Sequence, residues 1–210
     1  MKTQAAILWD RGAEWTVEEI DLDPPKAGEV LVEMSGSGLC HSDEHVVNGD
    51  LPWRLPMIGG HEGAGTVLEV GPGVTNVAAG DQVIFGFIPA CGRCSACSAG
   101  MQNLCEYGQY LGDGTQISDH TARHHARGQD LGLMCLLGTF AQHTVVSEAN
   151  CIKIEPGIGL DKACLLGCGV VTGWGSMVLA GNAQTGDTVV VVGIRGIGIN
   201  AVQGGALVGA

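Results

Sequence analysis

Basic residues are scarce in this chain of 210 residues. Ten lysines and arginines stand against 22 aspartates and glutamates, which gives a formal net charge of −12. A surface that binds nucleic acid needs clustered positive charge to neutralise phosphates. The basic residues here are scattered, so we expect no nucleic acid among the partners.

Long apolar runs are also missing. No run approaches the roughly 18 residues that cross a membrane. The short apolar stretch in the N-terminal sequence MKTQAAILWDRG is interrupted by Asp10, unlike a secretory signal. We therefore expect a cytoplasmic protein with no membrane partner. In a reducing compartment, clustered cysteines indicate metal binding or catalysis rather than disulfide bonds.

Glycine is abundant, and the 35 glycines separate short β patterns in the first half of the chain. These patterns lie at Glu29–Gly38, Gly63–Val74, Gly80–Phe87 and Gly138–Ile154. Short strands with glycine turns predict an antiparallel barrel, and the alternating residues of Glu29–Gly38 predict a half-buried strand. The polar stretch from Gly108 to Met134 lacks clear periodicity and is predicted to be a functional loop or an insertion.

The pattern changes after Leu160. The sequence KACLLGCGVVTGWGSMVLAG is rich in small residues and predicts helix. The sequence GDTVVVVGIRGIGINAVQGGALVGA then predicts a buried strand, a glycine turn and a helix, which is how a βαβ unit opens. No second strand follows, so we expect the chain to be the N-terminal part of a longer protein.

Four of the nine cysteines lie close together, at Cys91, Cys94, Cys97 and Cys105. Four thiolates satisfy a tetrahedral zinc ion and leave no open position, which is typical of a structural site. The alternative is an iron–sulfur cluster, since bacterial ferredoxins also begin with this cysteine spacing. In ferredoxins the fourth cysteine follows sooner and precedes proline, whereas Glu106 follows Cys105 here.

A second set of candidate metal ligands is dispersed over the sequences GLCHSDEH, GGHEGAG and LLGCGVVTGWG. Two cysteines and one histidine would leave the fourth position of zinc open for water or substrate. Spacing alone supports this set weakly, because a lone cysteine is usually a buried structural residue. A metalloprotease motif is excluded, since Gly65 stands where its second histidine belongs.

The sequence GHEGAGTVLEVGPGV resembles the signature of the zinc-containing medium-chain alcohol dehydrogenases. GLCHSDEH, the four-cysteine lobe and LLGCGVVTGWGS occur in the same order in that family, and the sequences EEIDLDPPKAGEV, CLLGTF and HARGQDLG are most similar to its NDMA-dependent members. The resemblance implies a mixed β and α/β fold. A GroES-like β-barrel catalytic domain would span 1–169 and contain the structural zinc lobe 91–105. The first strand and helix of a truncated Rossmann domain would span 170–210.

The resemblance also implies the roles of individual residues. Cys40, His61 and Cys168 match the ligands of a catalytic zinc, and the four clustered cysteines match a structural zinc, making two Zn²⁺ per chain. Asp43 matches the carboxylate that orients His61, and Glu62 matches a carboxylate behind the metal. Ser42 and His45 match a proton relay that runs through the cofactor ribose to solvent, and Phe87 matches a residue of the substrate pocket.

The matching cofactor-binding residues are His41, Thr172, Gly193, Gly196, Ile197 and Gly198. Arg195 occupies the position of the middle glycine of the dinucleotide turn, where a side chain is expected to obstruct the pyrophosphate. The acidic residue that reads the ribose would lie beyond Ala210, so the resemblance implies NAD(H) without separating it from NADP.

The implied activity is oxidation of a primary alcohol to an aldehyde, with hydride transfer to a nicotinamide cofactor. The resemblance to the NDMA-dependent members implies that this cofactor is tightly bound. A small alcohol or aldehyde would be the substrate, and the full-length protein would be a homo-oligomer. The alternatives are a thiol-dependent formaldehyde dehydrogenase of the same family and a non-catalytic zinc-binding module. We expect the 210-residue chain alone to be inactive. The remaining candidates are a weak metal site at His120, His124 and His125, and thiols without function at Cys135, Cys151 and Cys164.

Overall fold

The computed structural model describes residues 1–210, which form two compact units, Met1–Cys164 and Leu165–Ala210. The domain boundary implied by the resemblance, after residue 169, stays a prediction. All the strands lie in the first unit: β1 Lys2–Leu8, β2 Thr16–Leu22, β3 Glu29–Gly38, β4 Met57–Ile58, β5 Glu62–Val70, β6 Gln82–Phe85, β7 His124–Ala126, β8 Gln129–Asp130, β9 Gly132–Leu133, β10 His143–Ser147 and β11 Cys151–Lys153.

The α-helices are short except for the last one. They are α1 His41–Asn48, α2 Ser95–Ser98, α3 Leu160–Ala163, α4 Gly169–Gly175 and α5 Gly196–Val208. Single turns of 3-10 helix occupy Gln102–Leu104, Glu106–Tyr110, Met134–Leu136, Glu148–Asn150 and Cys164–Gly167, and a π-helix follows α4 at Ser176–Ala180.

The strands form two sheets, in the orders β8-β7-β2-β1-β4-β9 and β10-β3-β5-β6-β11. All pairs are antiparallel except β4 with β9. This confirms the predicted GroES-like barrel of short strands with glycine turns, and the β patterns named above fall on β3, β5, β6, β10 and β11.

Strand β3 differs from the half-buried strand predicted from its sequence. Its first four residues are all buried, and alternation begins only at Glu33. The reason is that β3 pairs with β5 on one side and with β10 on the other, in the centre of its sheet. Gly65 on β5 permits this pairing, because a Cβ there would lie 2.2 Å from the Glu33 carbonyl oxygen.

The stretch from Gly108 to Met134 is not an irregular loop, which corrects the prediction. It contains β7, β8 and β9, which pair onto β2, β7 and β4 respectively. The polar composition of this stretch does not reveal that part of it is buried, because Arg123 is buried as an ion pair with Glu29. Nη2 of Arg123 lies 2.6 Å from Oε1 of Glu29, and Nε lies 2.9 Å from Oε2. A buried charge is tolerated when it is paired and hydrogen-bonded in this way.

The second unit is helical, and α4 and α5 pack closely through glycine. A Cβ on Gly173 would lie 2.2 Å from the Ile197 carbonyl oxygen. The predicted helix of the Rossmann unit is confirmed as α5. The segment before it is not a buried strand: it has no strand partner, and Val190 and Val192 are 83% and 96% exposed. A strand is buried and hydrogen-bonded only through its neighbours.

No single helix of the chain is long and apolar enough to cross a membrane. The helix pair Leu160–Gly167 and Gly169–Ala180, which is bent by 51°, has sufficient length and apolar composition only when both helices are counted together.

Candidate metal centres

The four clustered cysteines converge around α2. Their Sγ atoms all lie within 4.8 Å of one another, with Cys91 and Cys97 4.0 Å apart and Cys94 and Cys105 3.9 Å apart. Sulfur atoms bound tetrahedrally to zinc at about 2.3 Å lie about 3.8 Å from one another. The thiols therefore fit a zinc ion, and their separations are too long for disulfide bonds.

Backbone amides of the lobe point at the sulfur atoms. The N–H groups of Cys94 and Cys97 donate to the Sγ atoms of Cys91 and Cys94 at 3.4 and 3.5 Å. Amides of Cys97 and Glu106 lower the pKa of Cys94 to about 6, whereas burial raises the pKa of Cys97 to about 12. Amide donors stabilise thiolates, the form that binds a metal.

A second group of potential ligands forms where α1 and β5 begin. Cys40 caps α1, and His61 and Glu62 lie at the start of β5, with the ligand atoms of the three residues within 4.8 Å. His61 and Glu62 are only 3% and 4% exposed. The backbone and hydroxyl of Ser42, together with His61, lower the pKa of Cys40 against the opposing effect of burial. Thiol, imidazole and carboxylate are all zinc ligands.

Asp43 connects the two loops of this group. Its Oδ2 accepts a hydrogen bond from the Cys40 amide at 2.9 Å, and its Oδ1 accepts one from the Gly60 amide at 3.2 Å. Oδ1 also lies 3.5 Å from Nδ1 of His61. Asp43 is buried. One carboxylate thus holds the backbone of one candidate ligand and lies beside the ring of the other, in the manner of groups that orient metal ligands.

Of the predicted relay and pocket residues, Ser42 and Phe87 contact this group. Ser42 Oγ lies 3.6 Å from Cys40 Sγ. His45 lies one turn further along α1, and its Nδ1 is 2.8 Å from Asp50 Oδ2. The ring of Phe87 meets the His61 ring edge-on, with centroids 6.2 Å apart.

Sequence reasoning missed two hydroxyl groups beside this group. Ser37 Oγ donates to the Glu62 carbonyl oxygen at 2.9 Å and lies 2.7 Å from Thr139 Oγ1. Thr139 is buried, and its own hydroxyl lies 3.4 Å from the same carbonyl oxygen. Ser37 and Thr139 are 102 residues apart, so no local signal could have found the pair.

The second unit contains the remaining predicted residues. Cys168 is half-buried and precedes α4, where the Thr172 amide donates to the Cys168 carbonyl oxygen at 2.9 Å. In the glycine turn, Gly193 has φ +90° and a Cβ on Gly198 would lie 1.8 Å from the Gly193 carbonyl oxygen. Arg195 caps α5 and is exposed, while Gly196 and Ile197 form its first turn.

The three histidines considered as a weak metal site do not converge. His125 lies between Asp23 and Asp130, at 3.1 and 2.9 Å. His124 is fully buried beside Thr144, and the His120 ring packs against Tyr110. The three thiols expected to lack function, Cys135, Cys151 and Cys164, are buried outside both groups of potential ligands.

Comparison with known proteins identifies the protein family to which the chain belongs. The family model of the alcohol dehydrogenase GroES-like domain matches residues 26–156, and the chain belongs to this family. The chain is 50% identical over 210 residues to an NDMA-dependent alcohol dehydrogenase of Amycolatopsis methanolica, and 47% identical over 211 residues to alcohol dehydrogenase B of Mycobacterium tuberculosis. Both alignments cover 100% of this chain.

The fold agrees with solved structures. The crystal structure of an alcohol dehydrogenase zinc-binding domain protein from Burkholderia ambifaria matches 100% of this chain with a TM-score of 0.92 and 32% identity. The chain spans 56% of the length of the two relatives from Amycolatopsis and Mycobacterium, and 57% of the Burkholderia chain.

Proposed function

We propose that this chain is the catalytic part of a zinc- and nicotinamide-dependent alcohol dehydrogenase that oxidises a primary alcohol to an aldehyde. The observation that carries the proposal is Asp43, which holds Cys40 by its amide and lies against the His61 ring. A buried carboxylate that is hydrogen-bonded to one candidate ligand and lies beside another, 21 residues away in sequence, is the expected support of a metal centre.

Cys40, His61 and Cys168 are the proposed ligands of the catalytic zinc. Three protein ligands leave zinc one open position, and a bound zinc would act there as a Lewis acid that makes the alcohol hydroxyl more acidic. Glu62 is buried with a carboxylate oxygen within 4.8 Å of the ligand atoms of Cys40 and His61, and it would be the carboxylate behind the metal that the resemblance implies. The four cysteines of the lobe would hold a second, structural zinc.

Ser42 and His45 would carry the alcohol proton away. The Ser42 hydroxyl lies beside Cys40, so it is close enough to the proposed metal position to accept a proton at Oγ. His45 is part-exposed on the same helix, and Asp50 receives its Nδ1–H, so Nε2 can take up a proton and pass it to water. Phe87 covers His61 and would exclude water from the substrate.

A nicotinamide cofactor would accept the hydride, as it does in other dehydrogenases. The proposed contacts are His41 and Thr172 with Gly193, Gly196, Ile197 and Gly198. Gly198 is required by close packing of the turn, and the N-terminus of α5 offers amide donors for a phosphate. The exposed Arg195 at this turn is expected to weaken cofactor binding, because its side chain obstructs the close approach of the pyrophosphate. The name of the Amycolatopsis relative supports an NDMA-dependent enzyme. The resemblance to the NDMA-dependent members implies a tightly bound cofactor.

Substitution of cobalt(II) for zinc tests this proposal on the chain itself. Cobalt bound to thiolates absorbs visible light, and only an open site changes its spectrum when an alcohol binds. We expect a primary alcohol to change the absorption that Cys40→Ser removes, and to leave the absorption that Cys94→Ser removes unaltered. A cobalt spectrum that responds to no alcohol, or that depends on the lobe alone, would support the non-catalytic zinc module instead.

A further inference from the structure

Two histidines share one exposed face of α1. His41 and His45 are four residues apart and therefore neighbours on the helix surface. Their ring centroids lie 4.8 Å apart, with an angle of 86° between the ring planes. His41 is exposed, and 42% of the His45 side chain is exposed. Both imidazoles are thus accessible to an ion in solution.

Asp50 orients the His45 ring for metal binding. The carboxylate oxygen Oδ2 lies 2.8 Å from Nδ1 of the ring. A hydrogen bond from Nδ1–H to a carboxylate places the lone pair on Nε2, and such a hydrogen bond is the usual second contact of a metal-binding histidine. Asp50 and Glu44 also add negative charge beside the pair, in a chain with a net charge of −12.

The separation of the rings suits chelation. Two imidazoles on adjacent positions of one metal ion, each with a metal–nitrogen bond of about 2 Å, place their ring centres about 5 Å apart. Histidines at this helical spacing bind metal in known zinc sites. Imidazole ligands favour nickel, copper and zinc over magnesium or calcium.

We propose that His41 and His45 form a surface site for a divalent transition-metal ion, in addition to the two cysteine-containing groups. The binding depends only on α1 and Asp50. One consequence rests on the proposed function: an ion on Nε2 of His45 would block the proton relay and the cofactor contact of His41. The site would make the enzyme sensitive to free transition metal.

Titration of the zinc-loaded chain with nickel(II) chloride, followed by calorimetry and by metal analysis, tests the site. We expect one nickel per chain with no loss of zinc. His41→Gln and His45→Gln should each abolish this binding, and Asp50→Asn should weaken it about tenfold. His120→Asn is the matched control, because it removes another exposed histidine and asparagine tolerates the positive φ of that residue. This control should bind nickel like the unaltered chain.

Three results would overturn the site: no nickel bound by the unaltered chain, equal binding in His41→Gln, or nickel that displaces zinc ion for ion. The test is separate from that of the proposed function. A chain that binds nickel through His41 and His45 but holds no zinc at Cys40 and His61 would support the surface site and contradict the dehydrogenase proposal.

Discussion

At the scale of single residues, the candidate active centre depends on Asp43. Its carboxylate accepts hydrogen bonds from the amides of Cys40 and Gly60, and one oxygen lies 3.5 Å from the His61 ring. Asp43→Asn keeps the shape but removes the charge and one acceptor. We expect the affinity of this site for zinc to fall about 10- to 100-fold, with the cysteine lobe unaffected, when zinc is withdrawn by a competing chelator.

Glu44→Gln is the control for this change, because Glu44 is the next residue of α1 and its contact, with Asn48, is exposed. It should leave both zinc affinities unchanged. If Asp43→Asn holds zinc as tightly as the unaltered chain, Asp43 does not orient a metal ligand.

His124 makes the stability of the first unit depend on pH. It is fully buried, its Nδ1 has no hydrogen-bond partner, and burial lowers its pKa to about 3. The unfolded state therefore binds a proton near pH 6.5 that the folded state takes up only near pH 3, so stability is lost as the pH falls below about 6.5. Between pH 7.5 and 5 we expect a loss of about 2 kcal/mol from this residue.

Urea unfolding of the unaltered chain and of His124→Gln at both pH values isolates this contribution. The variant is expected to be less stable at pH 7.5 but to lose about 2 kcal/mol less on acidification. Equal pH dependence in the two proteins would show that His124 is able to take up a proton in the folded state.

At the scale of elements, helices α4 and α5 depend on one glycine. A Cβ on Gly173 would lie 2.2 Å from the Ile197 carbonyl oxygen, whereas a Cβ on Gly175 would meet nothing within 4 Å. Gly173→Ala should destabilise the second unit by about 1–3 kcal/mol through overpacking. Gly175→Ala should be neutral or stabilise α4 by up to about 1 kcal/mol. Hydrogen exchange of the α5 amides measures both, and equal protection in the two variants would contradict the packing account.

The strands β7 to β9 are tied to the barrel by the buried pair of Arg123 and Glu29. Removing Arg123 leaves a buried carboxylate without its partner, so Arg123→Met should cost about 3–5 kcal/mol of unfolding free energy. Adding Glu29→Gln should restore part of this loss. Arg127→Met removes an exposed pair with Glu18 and should cost at most about 1 kcal/mol. Similar losses for Arg123→Met and Arg127→Met would contradict the role of burial.

These elements show which parts of the fold were predictable. Strands such as β5 and β6 were predicted because their apolar runs end at glycine turns, and the cysteine lobe because its spacing is local. Strand β7 was missed because its burial depends on a contact between residues 94 positions apart. The link from Asp43 to His61 followed from resemblance rather than spacing, since turns and a further strand separate α1 from β5.

At the scale of the whole molecule, the proposed dehydrogenase requires two metal centres of different kinds. The lobe is closed, because four thiols surround one position at the separations that zinc requires. The second centre would be open, because its three proposed protein ligands leave zinc one position for an alcohol.

Metal content per chain, measured on the unaltered protein and on the variants Cys94→Ser and Cys168→Ser, tests this claim most directly. We expect two zinc ions per chain, one lost with each substitution. A single zinc ion per chain that Cys168→Ser does not affect would contradict the proposal of two zinc centres. The chain would then be a zinc-binding module without a catalytic centre. Iron in place of zinc, with visible absorbance, would contradict the assignment of the lobe.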